Sequence, residues 1–241
     1  VMRDIVEWDI VNWSRAVAFW SEHANLHDEK LKCLELGGRR GGLSLYLALQ
    51  GHDVVCSDLE NPENLAQQLH KAHGVESNIT YEAIDALNIP YREAFDLIVF
   101  KSVLGGASRE NQHQNKNIAI SEIYRALKPG GILLFAENLS ASGLHRFFRK
   151  RFVKWGSDWN YLNRSHIDYL LSEFENVQTN TFGFFGAFGR SEFQREIGGK
   201  IDVFLEPIIP QQFRYLISAV ARKPWSKQEN RQAPTGGKQR N

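Results

Sequence analysis

The chain has 241 residues, of which 42% are hydrophobic and 24% charged, and its formal net charge is +1. These values are ordinary for one globular domain, and the sequence has no apolar run of the length needed to cross a membrane. A nucleic-acid-binding protein is more often basic across a whole face, so the near-neutral balance indicates no nucleic-acid partner.

The two cysteines, Cys33 and Cys56, lie within apolar strand patterns and are expected to be buried, reduced thiols. The first residues, VMRDIVEWDIVNW, carry acids and tryptophans where a signal peptide would be apolar. Both features favour a cytoplasmic location.

Residues 1–30 are expected to form a helical cap, with Trp8, Trp13 and Trp20 near the mouth of a site if the cap folds over the sheet edge. Beyond the cap, apolar runs alternate with helical patterns, which predicts a parallel α/β sheet. The predicted strands are 31–37, 53–58, 79–84, 95–101, 131–137, 177–185 and 213–222.

Helices are predicted between these strands. One spans 41–50 and is stopped by Gly51, and another spans 62–73 with Pro62 near its first turn. A third has apolar residues up to Leu127 and is ended by KPGG, and a fourth, 165–174, has Ser165 and Asp168 at capping-box spacing. Helical insertions are expected near 142–160 and 186–212, and a disordered tail over 224–241.

The segment ELGGRRGG, residues 35–42, joins the first strand to its helix. Such a turn presents free backbone N–H groups, and its glycines let a ligand approach the backbone. Its spacing fits E-x-G-x-x-x-G better than the G-x-G-x-x-G that seats a pyrophosphate. The alternative interpretation is a plain tight turn.

Carboxylates end the next two strands. Asp58 ends the second strand, where its oxygens can accept both ribose hydroxyls, and Asp85 follows the third strand in AIDALNIPY. Alternatively, Asp58 caps the following segment and Asp85 only forms a turn. The segments FDLIVFKSVLGG and ALKPGGILLFAEN occupy the fourth and fifth strand positions.

With these motifs the chain resembles the class I S-adenosylmethionine-dependent methyltransferases, well over residues 30–140 and more loosely over the last two strands. The resemblance implies that residues 31–223 form a Rossmann-like domain with a doubly wound, seven-stranded, mostly parallel sheet, a last antiparallel strand and helices on both faces. It also implies S-adenosylmethionine as the cofactor. Arg39 departs from the family, which usually has a second glycine there.

The resemblance assigns residues to the parts of this cofactor. The loop residues would lie under its methionine part, Asp58 would bind the ribose, Asp85 and the backbone of Ala86 the adenine, and the end of the fourth strand would face the methyl donor. The implied set is Glu35, Gly37, Gly38, Gly41, Asp58, Leu59, Asp85, Ala86, Lys101 and Ser102.

The catalytic candidates are less constrained, because correct positioning of the acceptor can supply much of the rate of methyl transfer without a base. Glu137, at the end of the fifth strand, is the first choice, with Lys101 and His113 as further candidates and His145 also considered. Glu137 could instead accept a backbone N–H, and His113 could be a solvated side chain. No cluster at metal-ligand spacing is present, so no metal is expected.

The segment GLHRFFRKRFVKWGSDW, residues 143–159, predicts an amphipathic helix. A helical wheel places Leu144, Phe147, Phe148, Phe152 and Trp155 on one face, and His145, Arg146, Arg149, Lys150 and Lys154 mostly opposite. Three interpretations compete: a lid helix with a solvated basic face, a basic helix at a membrane surface over 144–155, and an anion-binding helix with Arg151 turned inward.

The leading hypothesis is a methyltransferase that acts without a metal on a small-molecule or glycan acceptor. The segments NWSRA and KSVLGG resemble those of proteins that accompany bacterial surface-polysaccharide enzymes, which implies a polysaccharide or lipid-linked acceptor. One alternative is a nicotinamide-dependent oxidoreductase with a degenerate loop, although no Tyr-x-x-x-Lys pair is present. Another is a non-catalytic S-adenosylmethionine-binding protein.

Overall fold

The computed structural model describes residues 1–108, 114–152 and 159–225. Its seven strands form one sheet in the order β3-β2-β1-β4-β5-β7-β6, in which β7 runs antiparallel to both of its neighbours and the others are parallel. The predicted fold is therefore confirmed. The strands are β1 Lys32–Leu36, β2 Asp53–Asp58, β3 Ile79–Ala83, β4 Phe95–Lys101, β5 Leu127–Asn138, β6 Glu175–Phe182 and β7 Leu216–Arg222.

The helices of the described residues lie on both faces of this sheet. They are α1 Met2–Val6, α2 Ile10–His23, α3 Gly42–Ala48, α4 Glu63–Ala72, α5 Leu104–Ala107, α6 Asn115–Ala126, α7 Gly143–Phe152, α8 Arg164–Leu170 and α9 Glu192–Leu205. A 3-10 turn at Gly186–Phe188 lies between β6 and α9.

The central strands read as continuous apolar runs because both of their faces are covered. Within β4, Leu97 belongs to one buried cluster and Ile98 to the other. The first cluster packs β4 against α2, α3 and α4, and the second packs it against α6 and α8. Alternation along a strand therefore builds two hydrophobic layers, one on each side of the sheet.

Several predicted boundaries are wrong: β6 ends at Phe182 and not at 185, and β7 begins at Leu216 and not at 213. Strand β5 begins at Leu127 and not near 131, because the KPGG segment pairs with the last strand: Gly130 donates its N–H to the Lys223 carbonyl, at 3.0 Å. Helix α8 begins at Arg164 with Asn163 as its N-cap, so the expected cap at Ser165 is two residues too late. The apolar residues of this segment, Ile167, Leu170, Leu171 and Phe174, are buried.

A buried polar cluster ties the N-terminal helices to the end of the chain. The Tyr215 hydroxyl donates to Asp9 Oδ2, and the Asn12 amide donates to Asp202 Oδ2 at 3.0 Å. Glu192 accepts the backbone N–H of Asp9 at 2.9 Å. The cluster, Asp9, Asn12, Asp202 and Tyr215, therefore fixes α2 and α9 against the start of β7.

Candidate active site

A cavity of about 800 Å³ opens where the parallel strands end, beside the point at which the strand order reverses between β1 and β4. This position is the usual ligand crevice of an open α/β sheet. All residues implied for the cofactor line the cavity except Gly41. The further lining residues are Ile5, Glu7, Trp8, Arg39, Gly42, Leu43, Ile84, Leu87, Val103, Gly106, Ala107, Asn115, Asn138, Trp159 and Arg195.

The loop under the cavity depends on glycine for steric reasons. Gly37 and Gly41 have φ values of 64° and 73°, in the left-handed region that favours glycine. A Cβ atom on Gly41 would also lie 2.5 Å from the ring of His70. Gly41 is therefore a packing residue at the start of α3, whereas Gly37 and Gly38 form part of the cavity wall.

Glu35 holds this loop from below. Its carboxylate is buried and accepts the backbone N–H groups of Leu43 and Ser44, at 3.1 and 2.9 Å, at the N-terminus of α3. Burial raises the pKa of Glu35 to about 7, although its hydrogen bonds with Ser44 and Leu43 oppose the shift. The side chain shapes the loop and contributes one buried edge to the cavity.

Two carboxylates flank an apolar part of the cavity. Asp58 accepts the N–H groups of Arg39, at 2.9 Å, and Leu59, at 2.8 Å, one on each oxygen. Asp85 accepts the N–H of Leu87 at 2.9 Å. Each carboxylate is thus fixed in orientation and retains further lone pairs, because a carboxylate can accept about four hydrogen bonds.

The apolar part between these carboxylates is lined by Leu59, Ile84 and Ala86. The Leu59 side chain is 71% exposed, which leaves its apolar surface open to a ligand in the cavity. A nucleoside has a flat apolar base between a ribose diol and an exocyclic amino group. The two acceptor carboxylates and the apolar surface between them therefore fit the adenosine part of S-adenosylmethionine.

The other end of the cavity is closed by the N-terminal helices. Lys101, at the end of β4, donates from Nζ to the Val6 carbonyl at 2.6 Å and lies 3.9 Å from the centroid of the Trp8 ring. Burial lowers the pKa of Lys101 to about 8. The next residue, Ser102, has a φ of 57° and accepts the Asn138 amide on its hydroxyl at 3.1 Å.

The tryptophans of the cap have different positions. Trp8 lines the cavity, whereas Trp13 and Trp20 are buried in the core, each 1% exposed. The expectation that all three lie at the mouth of the site is therefore correct for Trp8 alone.

Glu137 lies beneath the cavity and is not among its lining residues. The side chain is fully buried, its Oε1 accepts the Leu104 N–H at 2.6 Å, and burial raises its pKa to about 7. Backbone hydrogen bonds, above all that of Leu104, oppose this shift in pKa, and the charge of the buried Lys116 opposes it to a smaller extent. This position supports the alternative interpretation of Glu137 as a strand-end carboxylate that accepts a backbone N–H.

Two histidines, His113 and His145, were catalytic candidates. His113 lies outside the described residues. His145 is buried on α7, where Nε2 bonds to the Phe184 carbonyl at 2.9 Å and the ring stacks on Phe188 with centroids 4.7 Å apart. The prediction of which residues share the apolar and the basic faces of α7 is therefore wrong: His145 turns inward, and Leu144 and Phe147 are 50% and 62% exposed.

Sequence reasoning missed several lining residues on the side opposite the nucleoside pocket, among them Asn138, Trp159 and Arg195. Arg195 lies on α9, far along the chain, and the packing of α9 on α2 and on the 3-10 turn at Gly186–Phe188 brings it to the cavity. No local sequence motif around Arg195 predicts that this residue lines the cavity.

In the described part of the chain, no group of three or more His, Cys, Asp or Glu side chains could hold a metal ion. Nor does any described helix have both the length and the apolar character that crossing a membrane requires. Cys33 and Cys56 are free and buried, as expected.

Fold and site together define a class I S-adenosylmethionine-dependent methyltransferase domain, and S-adenosylmethionine is the cofactor of this class. Residues 34–135 match the family described as "Methyltransferase domain".

Comparison with individual proteins agrees with this assignment. Norajmaline N-methyltransferase from Rauvolfia serpentina is 33% identical over an alignment that covers 49% of this chain and 42% of that protein. A tRNA 5-carboxymethoxyuridine methyltransferase from Escherichia coli K12 is 27% identical, with 46% and 41% covered. The chain thus spans about two fifths of the length of these curated relatives.

Among solved structures, phosphoethanolamine N-methyltransferase 2 from Haemonchus contortus, in complex with phosphomonomethylethanolamine and S-adenosylhomocysteine, superposes with a TM-score of 0.59. The superposition covers 88% of this chain and 53% of that chain at 18% sequence identity. This similarity shows a shared fold.

Proposed function

We propose that this protein transfers a methyl group from S-adenosylmethionine to a small-molecule or glycan acceptor, by direct displacement and without a metal. The observation that carries the proposal is the continuity of the cavity. One space of about 800 Å³ reaches from the carboxylates of Asp58 and Asp85 to the side chains of Lys101, Asn138 and Trp159. A cofactor and a small acceptor can therefore meet inside it.

The cofactor would be held by residues already positioned for it. Asp58 would accept the ribose hydroxyls, Asp85 the adenine amino group, and Ala86 would donate its backbone N–H to the ring. Gly37 and Gly38 leave room for the methionine part, and the guanidinium of Arg39 could pair with its carboxylate. S-adenosylmethionine supplies an electrophilic methyl group, which is displaced from sulfur by an acceptor atom in line with it.

The acceptor would lie between the cap and the ends of β4 and β5. Trp8 offers an apolar ring there, Asn138 an amide, and Arg195 a cation. Arg195 lies within 3.5 Å of Glu192, so its charge is partly balanced before an acceptor arrives. These groups suit a polar acceptor with a hydroxyl, amine or anionic substituent.

Lys101 is the described catalytic candidate that reaches the cavity. With a pKa lowered to about 8, a substantial fraction of its side chain is neutral in mildly alkaline solution. We propose that the neutral amine accepts the proton that an acceptor hydroxyl or amine releases as its bond to the methyl carbon forms. Glu137 would support this end of the site by holding the turn at Leu104.

Calorimetry tests the cofactor, and isotope transfer tests the reaction. We expect S-adenosylmethionine and S-adenosylhomocysteine to bind and NAD not to bind. Incubation with methyl-labelled cofactor and fractionated small-molecule and glycan extracts should then label one fraction, and heat-denatured protein should label none. Binding without any label transfer would favour the non-catalytic alternative, and NAD binding alone would favour the oxidoreductase.

A further inference from the structure

The outward side of α9 is apolar along its length. Phe193, Ile197, Ile201 and Phe204 recur at helical spacing, and the two phenylalanines are 72% and 81% exposed. The opposite side of the helix is packed, since a Cβ on Gly198 would meet Gly186 and one on Gly199 would meet Val11. We call the four outward residues the α9 stripe.

Helix α7 exposes apolar and basic side chains together. Leu144 and Phe147 are half or more exposed, and Arg146 and Lys150 are exposed beside them. No acidic residue occurs between residues 143 and 152. The inward side of the helix is occupied by His145, whereas Leu144, Arg146, Phe147 and Lys150 are exposed.

Both helices lie at the edge of the sheet that carries the cavity. Helix α7 follows the carboxyl end of β5, α9 follows the carboxyl end of β6, and these strands are parallel because each is antiparallel to β7. Both helices also pack on the 3-10 turn at Gly186–Phe188. Exposed apolar side chains that cluster on a protein surface often mark a binding site.

We propose that α7 and the α9 stripe form a docking surface for an anionic lipid bilayer. Exposed Leu and Phe side chains can enter the boundary between headgroups and acyl chains, while arginine and lysine beside them meet lipid phosphates. A second copy of the chain fits less well. In a contact between two α7 helices, basic side chains would face each other, and neither copy of α7 has an acidic residue to pair with them. The inference concerns docking alone and does not depend on methyl transfer.

The test is flotation of the full chain with phosphatidylcholine vesicles, with and without phosphatidylglycerol, at low and at physiological salt. We expect flotation with the anionic vesicles only, and less of it at higher salt. Replacing both Arg146 and Lys150 by glutamine should lower partitioning about 25-fold, because each basic residue near an anionic surface contributes about fivefold. Phe147→Glu and Phe193→Glu/Phe204→Glu should each abolish flotation.

Leu65→Glu on α4 and Lys71→Gln on the same helix are the matched controls. Leu65 is 63% exposed and Lys71 is exposed, so these variants change apolar surface and charge away from α7 and α9. They should float like the unchanged protein, and calorimetry should show unchanged S-adenosylhomocysteine binding in every variant that remains folded by circular dichroism. Three results would overturn the proposal. They are an equal loss of flotation in the control variants, flotation that is independent of lipid charge, and a dimer that Phe204→Glu dissociates.

Discussion

The ammonium group of Lys101 lies 3.9 Å from the centroid of the Trp8 ring, so a residue at the end of β4 is covered by the N-terminal cap. Removing the Trp8 ring would have two opposing effects on the pKa of Lys101, one from the lost cation–π contact and one from the lost burial. Loss of the cation–π contact, worth about 2 kcal/mol for a desolvated pair, lowers the pKa by about 1.5 units, whereas burial has lowered it by more, from 10.5 to about 8.

Water entry should therefore dominate in Trp8→Leu, and the pKa of Lys101 should rise toward its ordinary value. The pH dependence of Lys101 acetylation, followed by mass spectrometry, measures it. In a methyl-transfer assay, Lys101→Met should lower turnover with cofactor affinity nearly unchanged, while Lys32→Met, at the exposed start of β1, should change neither. A normal turnover number for Lys101→Met would exclude this lysine from the chemistry.

Asp58→Ala should weaken the binding of both S-adenosylmethionine and S-adenosylhomocysteine by about 2–4 kcal/mol, because two charge-assisted hydrogen bonds to the ribose are lost. Titration calorimetry measures the loss. The matched control is Asp53→Ala, at the other end of β2, where the carboxylate forms an exposed pair with Lys30 at 2.8 Å. If both variants bind like the unchanged protein, the ribose does not lie at Asp58.

Gly41→Ala should destabilise the fold by more than Gly74→Ala. Both glycines have left-handed φ values, 73° and 68°, but an added Cβ meets His70 at 2.5 Å in the first case and nothing within 4 Å in the second. Subtracting the two changes in unfolding free energy, measured with urea, isolates the steric part, which we expect to be about 1–3 kcal/mol. Equal losses would mean that the His70 ring moves aside freely.

Because the pKa of Asp9 is raised in the folded protein, the free energy of unfolding should fall as pH rises. Burial raises its pKa from 3.8 to about 7 against the hydrogen bonds of Tyr215 and Asn12, and the charges of Asp202 and Glu192 raise it further. The folded state binds this proton more tightly, so its contribution is complete below about pH 4 and is lost as pH rises through about 7.

Three pKa units correspond to about 4 kcal/mol as an upper value. Asp9→Asn should therefore show a shallower decline in unfolding free energy between pH 5 and pH 8 than the unchanged protein, as measured by urea denaturation at each pH. The buried Glu35 and Glu137, with pKa values also raised to about 7, contribute the decline that remains. Identical pH profiles for the two proteins would assign the whole effect to those glutamates.

Methyl transfer should survive EDTA, since the proposed displacement uses no metal. The assay compares initial rates before and after chelation, with magnesium added back as the control. Loss of activity that magnesium restores would point to a metal-assisted mechanism.

Strands β1, β2, β4 and β5 were predictable because both of their faces are largely buried, which leaves an apolar run that few other elements produce, whereas the edge strand β3 is buried only in part. Asp58 and Asp85 were marked by their places at strand ends. The inward face of α7 was not predictable, because the pocket that takes His145 is made by Phe184 and Phe188, rings from a distant segment. Arg195 entered the site in the same way, through packing between α2 and α9.

Because Asp9 and Asn12 bind Tyr215, residues made early on the ribosome reach their native contacts only after the start of the last strand has emerged. Domains fold as their residues are synthesised, and contacts between distant residues form late. The buried contacts that fix α2 of the N-terminal cap against β7 are therefore among the last that the domain can make during its synthesis.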